Sequence, residues 1–568
     1  MDFEKFEDVK CLKPDLQKIQ DQFEALTKAL KEAKDAKEAA KILYKEFELS
    51  DEVTTQAEIA QIRHTIDIRD KYYADLVDYY DQMGPLMEQY ENEFDKTCAT
   101  TPLRKDLEKI FGSYFFEKID ISLKTFSPEI IPDLQEENAL GSRYNNLMGS
   151  AKGNFRGEML PITKFDPLMA STDRAVRKDA SEGYWAFFAT HEAELADIYD
   201  KMVKVRTRIA KKLGFPNFLP LGYYRLGRAD WGPEDVTKYR EQVLKQIVPV
   251  AQDLYKEQAD RLGYKDMKFY DYKLQFLNGN PTPKGTPEEL VQAASKMYKE
   301  MSPVASKYFD FMVSHHMMDL VSKDGKIPGG YMEYLPAIHS SFIFSNFNGS
   351  SGDVDVLTHE FGHSLQGFLA GDIKEPSLRA PGYECDEMHS MSMEFFAYPW
   401  MKNFFGDQEA KYRYTHLVED IEFIPYGVSV DEFQTFVYTH PEATHEERKA
   451  AWRAIEKKYR PHLSFKEDNP FLESGGWWMR QLHIFVDPLY YIDYTIAQVA
   501  AFEFFLESTK DFKKAFDKYL AFDRLGGTLP YKALLKKAGI ANPMEPSTIP
   551  SLIPDLRKYL ASFDDKKM

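Results

Sequence analysis

The stretch His359-Glu360-Phe361-Gly362-His363 restricts this chain more than any other, because an H-E-x-x-H is useful only on an α-helix. At about 100° per residue, side chains four apart lie within about 40° of one another. His359 and His363 therefore leave one face a turn apart and can chelate a single ion. Glu360 falls about 60° from His363, near enough to hold a water without being a ligand. Two imidazoles and a neighbouring carboxylate on a rigid helix are the requirements of a hydrolytic zinc site. The flanks agree with a helix. Ser350, Ser351 and Asp353 are N-cap candidates, Asp355 suits the first turn, and Gly371 suits the C′ position. Leu357, Phe361, Leu365 and Phe368 form a packing stripe that leaves the histidine face free. Gly362 costs helix stability and implies either a close approach at the site or tight packing on another helix.

The rest of the chain must supply a third ligand, a scaffold and a substrate. A net charge of −18 disfavours nucleic acid and anionic membranes as partners. No apolar run is long enough for a membrane span, and the first residues lack the pattern of a signal peptide. Three scattered cysteines, Cys11, Cys98 and Cys385, argue for a reducing cytoplasm. Helical periodicity dominates residues 14–100, 171–213, 233–262 and 286–320. Phe218–Trp231 reads as a loop or edge segment. Asp324-Gly325 is a hairpin signal, and Ser341–Phe347 is the best strand candidate. An open strand edge beside the motif helix could pair with an extended peptide.

Glu384, Glu387 and Glu394 compete for the third ligand position on the helix predicted after the motif helix. Glu387, 24 residues beyond His363, lies within the range for a glutamate that returns on the next helix of a metallopeptidase, and Glu394 can share its face and support a ligand from behind. His389 points away from Glu387 on that helix, and Cys385 reads as a buried apolar residue. His440 and His445 have poor spacing for a metal pair and read as polar loop residues. Further on, Tyr491 and Tyr494 share one helical face, either as core or as phenol donors to an oxyanion.

Four blocks in this order resemble the oligoendopeptidase F branch of the thimet oligopeptidase-like metallopeptidases, which includes the bacterial Pz-peptidases. They are Ser341–Phe347 with the Gly349–Asp353 turn, His359–His363, Asp386–Glu394, and His483–Tyr494. The similarity runs from about Leu213 to Ala541. It implies a mostly α fold in which two helical lobes enclose a deep substrate channel, with a small β-sheet beside the zinc-binding helix. It also implies one Zn2+ per chain on His359, His363 and Glu387, with Glu360 as general base. His483, Tyr491 and Tyr494 become substrate or oxyanion contacts, although the His483–Tyr491 interval is one residue shorter than in the thimet-type branch. The expected function is endopeptidase cleavage of short, unfolded peptides. A zinc carboxypeptidase or dipeptidase, or an inactive peptide-binding protein, are the alternatives. A division into an N-terminal helical region, 1–170, and a catalytic region, 171–568, completes these expectations.

Overall fold

Aspartates start the long N-terminal helices. The Asp15 side chain accepts from the Lys18 N–H, Asp35 from Glu38, and Asp70 from Tyr72 and Tyr73. These caps satisfy amide donors that a helix leaves unpaired. They open the helices Leu16–Glu32, Ala36–Ile66 and Lys71–Thr100 in a computed structural model that describes residues 3–568. Two small apolar clusters hold these helices together, one around Ile19, Phe23, Leu49 and Met87, the other around Leu43, Phe47, Phe94 and Phe115. The main core is far larger and extends from Phe6 to Leu560.

Two short strands, β1 (Lys152–Phe155) and β2 (Glu158–Pro161), pair antiparallel. The second sheet contains β3 (Met318–Val321), β4 (Tyr331–Leu335) and β5 (Ser340–Phe347) in the order β3-β5-β4. This order corrects two expectations. Asp324-Gly325 does form a turn, with Gly325 at φ 86°, but β3 and β4 do not pair across it. Strand β5 lies between them, parallel to β3 and antiparallel to β4. Its run Phe342-Ile343-Phe344 is buried throughout, as a central strand requires. The open edge beside the motif helix therefore belongs to β4.

Other departures are local. Phe218–Arg225 is a helix, because Asn217 caps it by accepting from the Leu219 N–H. The stretch expected to be helical to Leu320 breaks at Ser302-Pro303 and then forms β3. Gly371 sits in ordinary right-handed backbone as the C-cap rather than in a left-handed C′.

Strand β5 runs through a tight turn into the motif helix, Gly352–Ala370. Asp353 holds that turn by accepting from the Asn348 and Gly349 N–H groups at 2.9 and 2.8 Å. Behind it lies the helix Tyr383–Phe396, and behind that Ile492–Lys510. Gly362 explains the closeness of the first pair: a Cβ there would lie 2.7 Å from the His389 carbonyl oxygen and from Ser390 Cα. Helix packing therefore accounts for this glycine. Two helical lobes face each other across a deep channel with a cavity of 1320 Å³. The N-terminal helices contribute Asp51, Thr54 and Asp81 to its wall, and the motif region contributes His359, Glu360, His363 and Glu387. Among the described residues, no helix is long and apolar enough to cross a membrane.

Candidate active site

The motif helix turns both histidines towards one carboxylate. Glu387 Oε2 lies 3.2 Å from His359 Nε2 and 3.4 Å from His363 Nε2. These three side chains bring one ligand atom each within 4.8 Å of the others. His359 Nδ1 donates to Glu394 Oε1 at 2.7 Å, which leaves the Nε2 lone pair for the shared point. The donor set of two imidazole nitrogens and one carboxylate oxygen suits zinc, with room for a substrate group on the cavity side. Glu360 lines the cavity beside these groups without joining them. Burial raises its pKa, against the pull of His359 and His363.

Glu387 is held on every side. Ser390 Oγ donates to its Oε2 at 3.0 Å, and the Tyr490 hydroxyl donates to its Oε1. Burial alone would raise its pKa, but the His363 and His359 imidazoles hold it well below the carboxylate range. Glu394 behaves alike: burial opposes ionisation, and hydrogen bonds from His359 and His416 outweigh it. His416 Nε2 lies 2.7 Å from Glu394 Oε2, and its Nδ1 lies 2.8 Å from the Tyr398 hydroxyl and 3.2 Å from Asp420 Oδ2. A chain of polar groups thus runs from His359 deep into the core.

His483 approaches the same cavity from a different segment. The Tyr426 hydroxyl donates to Gln481 Oε1 at 2.7 Å, so the Gln481 amide nitrogen faces His483 Nδ1, at 2.8 Å. That bond leaves the proton on Nε2, which lies 3.2 Å from the Tyr494 hydroxyl. Burial lowers the His483 pKa, so the ring is neutral near pH 7. It can orient Tyr494 while the Tyr494 proton faces substrate.

The competing candidates lie elsewhere. Glu384 accepts from Trp231 Nε1 at 3.3 Å, His389 is buried beside Asp523, and Cys385 is fully buried. His440 caps the end of the helix Glu409–Thr439, and His445 opens the next helix with its Nε2 3.0 Å from Glu192. Tyr491 also differs from Tyr494. It is buried against Phe423 and Tyr426, with ring centroids 5.9 Å from each, and does not line the cavity. The reason is the helix start: the helix begins at Ile492, and Leu489 just before it has a left-handed φ of 68°. Tyr490 and Tyr494 line the cavity instead. Sequence reasoning missed Tyr490, His416 and Gln481. The one available signal was the adjacency of Tyr490 to the chosen tyrosines.

Known proteins agree with this architecture. The family model for the peptidase M3 N-terminal domain matches residues 6–126, and that for peptidase family M3 matches residues 167–549. The structure of Pz peptidase A with an inhibitor is 43% identical, with a TM-score of 0.97 over 99% of this chain and 100% of that one. A protein described as an oligoendopeptidase F is 42% identical with a TM-score of 0.98, and another from Bacillus anthracis str. Ames is 39% identical with 0.94; both comparisons cover all of each chain. No curated protein matches the chain. With a family model over most of its length and three near-identical folds, the chain belongs to peptidase family M3 and is a metalloendopeptidase of the oligopeptidase type.

Proposed function

We propose that this oligoendopeptidase binds one Zn2+ through His359, His363 and Glu387 and cuts internal bonds of short, unfolded peptides in the cytoplasm. The observation that carries this reading is the convergence of three ligand atoms, with Glu360 beside them, on the wall of a 1320 Å³ cavity. That volume exceeds the several hundred Å³ of an ordinary small-molecule pocket and suits a peptide segment. When bound, zinc would supply Lewis acidity to a water and to the scissile carbonyl. The chain does the remainder. The open edge of β4, whose Tyr331–Tyr334 line the cavity, holds the peptide extended. Glu360 accepts the proton of the attacking water and returns it to the leaving nitrogen. Tyr494, oriented by His483, donates to the oxyanion, and Tyr490 keeps Glu387 in place. Three free, buried cysteines fit a reducing compartment.

The test uses peptides blocked at both ends, whose cleavage requires an endopeptidase. The wild-type protein should cut them and contain one zinc per chain by elemental analysis. Glu360→Gln should keep the zinc and lose about 10²–10⁴-fold in turnover. Cleavage only of peptides with a free end would refute the endopeptidase reading, and retention of more than about a tenth of turnover would remove Glu360 as the base.

A further inference from the structure

Four guanidinium groups line the cavity: Arg206, Arg225, Arg379 and Arg480. Three are already paired. Arg206 Nε lies 2.6 Å from Glu137 Oε1, and Arg225 Nη1 lies 2.9 Å from Glu137 Oε2. Arg379 makes a two-pronged pair with Asp51, at 2.7 Å on both arms. The Arg480 guanidinium makes neither a hydrogen bond nor an ion pair with any described residue, although its charge is felt by Tyr184, Tyr426, Asp166 and Tyr491. Asp166, the carboxylate among these, is instead ion-paired with Lys273.

Aromatic rings fix where Arg480 sits. Its guanidinium carbon lies 5.7, 6.0 and 5.9 Å from the ring centroids of Tyr184, Trp185 and Trp477. Such rings stabilise the cation and limit its movement without occupying its N–H donors. The segment that carries it continues through Gln481 to His483, and Arg480, Gln481, His483 and Tyr494 all line the same cavity.

The charge balance of the wall makes this unpaired cation informative. Glu333, Asp386 and Asp487 line the cavity without an ion-pair partner among the described residues. A peptide carboxylate that enters loses water, and three of the four arginines around it are already committed to carboxylates of the chain. It needs a fork of donors, and Arg480 is the one cavity-lining arginine not already paired.

We propose that Arg480 anchors a carboxylate of the bound peptide, either its C-terminus or an Asp or Glu side chain. The proposal rests on the cavity being the peptide site, and it makes Arg480 a determinant of specificity and cleavage position rather than a catalytic residue. Binding separates it from turnover. A dye-labelled nonapeptide with one glutamate is prepared as the free acid, as the C-terminal amide, and as the acid with Glu replaced by Gln. Each form is titrated into zinc-loaded Glu360→Gln protein, with and without Arg480→Gln. With Arg480 present, one of the two neutralised peptides should bind about 10–100-fold more weakly than the parent. The amide points to the C-terminus and the Gln peptide to a side chain. With Arg480→Gln that difference should vanish, and Arg480→Lys, which keeps the charge and loses the fork, should restore part of it. Equal binding of all three peptides while Arg480 is present would overturn the proposal. A difference that survives in Arg480→Gln would overturn it too. If no form binds, the peptide-site reading falls together with it. Zinc content and melting temperature identify a variant that has merely lost its fold.

Discussion

Two sets of carboxylates in this molecule share partial or full burial but differ in what faces them. Glu387 and Glu394, behind the motif helix, are each bracketed by two imidazoles, and their pKa values are driven down despite burial. Between the long helices Ala36–Ile66 and Lys71–Thr100, Glu46, Glu88, Glu91 and Asp95 are half-buried, and burial pushes them up to about 7, 7, 8 and 6. Glu91 has only other carboxylates around it. Burial has the same sign in both places; the partner decides the outcome. The two carboxylates at the proposed zinc site are kept ionised by histidines. The other set is part-protonated near neutral pH and weakens the fold wherever it ionises.

The sharpest way to break the contrast is to remove the best-paired member. Glu387→Ala should leave substoichiometric zinc after dialysis and reduce turnover to background, whereas Glu384→Ala should retain zinc near the wild-type level. The opposite ranking would transfer the ligand role to the group bonded to Trp231. Tyr494→Phe should lose about 10²-fold or more in kcat with zinc unchanged, as expected for one oxyanion donor. Tyr491→Phe should stay within a few-fold, because its ring is packing against Phe423 and Tyr426. Comparable losses in both variants would refute the distinction drawn between them.

His416 tests whether the histidine bracket matters at a distance. It touches no ligand atom yet holds Glu394, which holds His359. His416→Ala should weaken zinc binding by about 10–100-fold, measured by competition with a chelator. Burial opposes its charge, but Asp420 and Glu394 raise its pKa to about 10. The stability supplied by the charged ring is therefore complete below its ordinary value of 6.5 and is lost as pH rises through about 10. Unchanged metal affinity in the variant would confine His416 to packing.

How far the sequence could reach follows the same division. The motif helix and its packing stripe were legible because helical spacing alone puts those side chains together, whereas Glu387, on another helix, was singled out by the family resemblance. The long N-terminal helices were legible from apolar periodicity alone; their aspartate caps at Asp15, Asp35 and Asp70 came to light only in the structure. The order of the sheet was not, because a turn at Asp324-Gly325 has the same local chemistry whether or not its strands pair. Tyr490 escaped because its place depends on where one helix starts, and boundaries are the weakest part of such readings. His416 escaped because nothing local distinguishes a histidine bonded to a distant glutamate from any other histidine in a helix. The acidic set between the N-terminal helices escaped because only the packing of two helices brings Glu46 to Glu91.

That acidic set gives the smallest expected effect and the most direct check on the role of partners. Glu91 has an ordinary pKa of 4.5 and a folded value of about 8, raised first by burial and then by Glu46, Asp95 and Glu88. Below 4.5 it is protonated in both folded and unfolded chains and carries no penalty. As pH rises from there to 8 the unfolded chain gives up its proton while the folded one keeps it, so stability falls across that window. Glu91→Gln removes the titration and resembles the protonated acid in shape. The variant should match the wild type at pH 4, below the ordinary value of 4.5. At pH 8 its Lys71–Thr100 helix should be more protected from amide hydrogen exchange by up to about tenfold, on the order of 1 kcal/mol of local stability. Protection that is equal at both pH values, or lower in the variant at pH 8, would mean that Glu91 finds a cation after all. The contrast with Glu387 would then be one of degree rather than of sign.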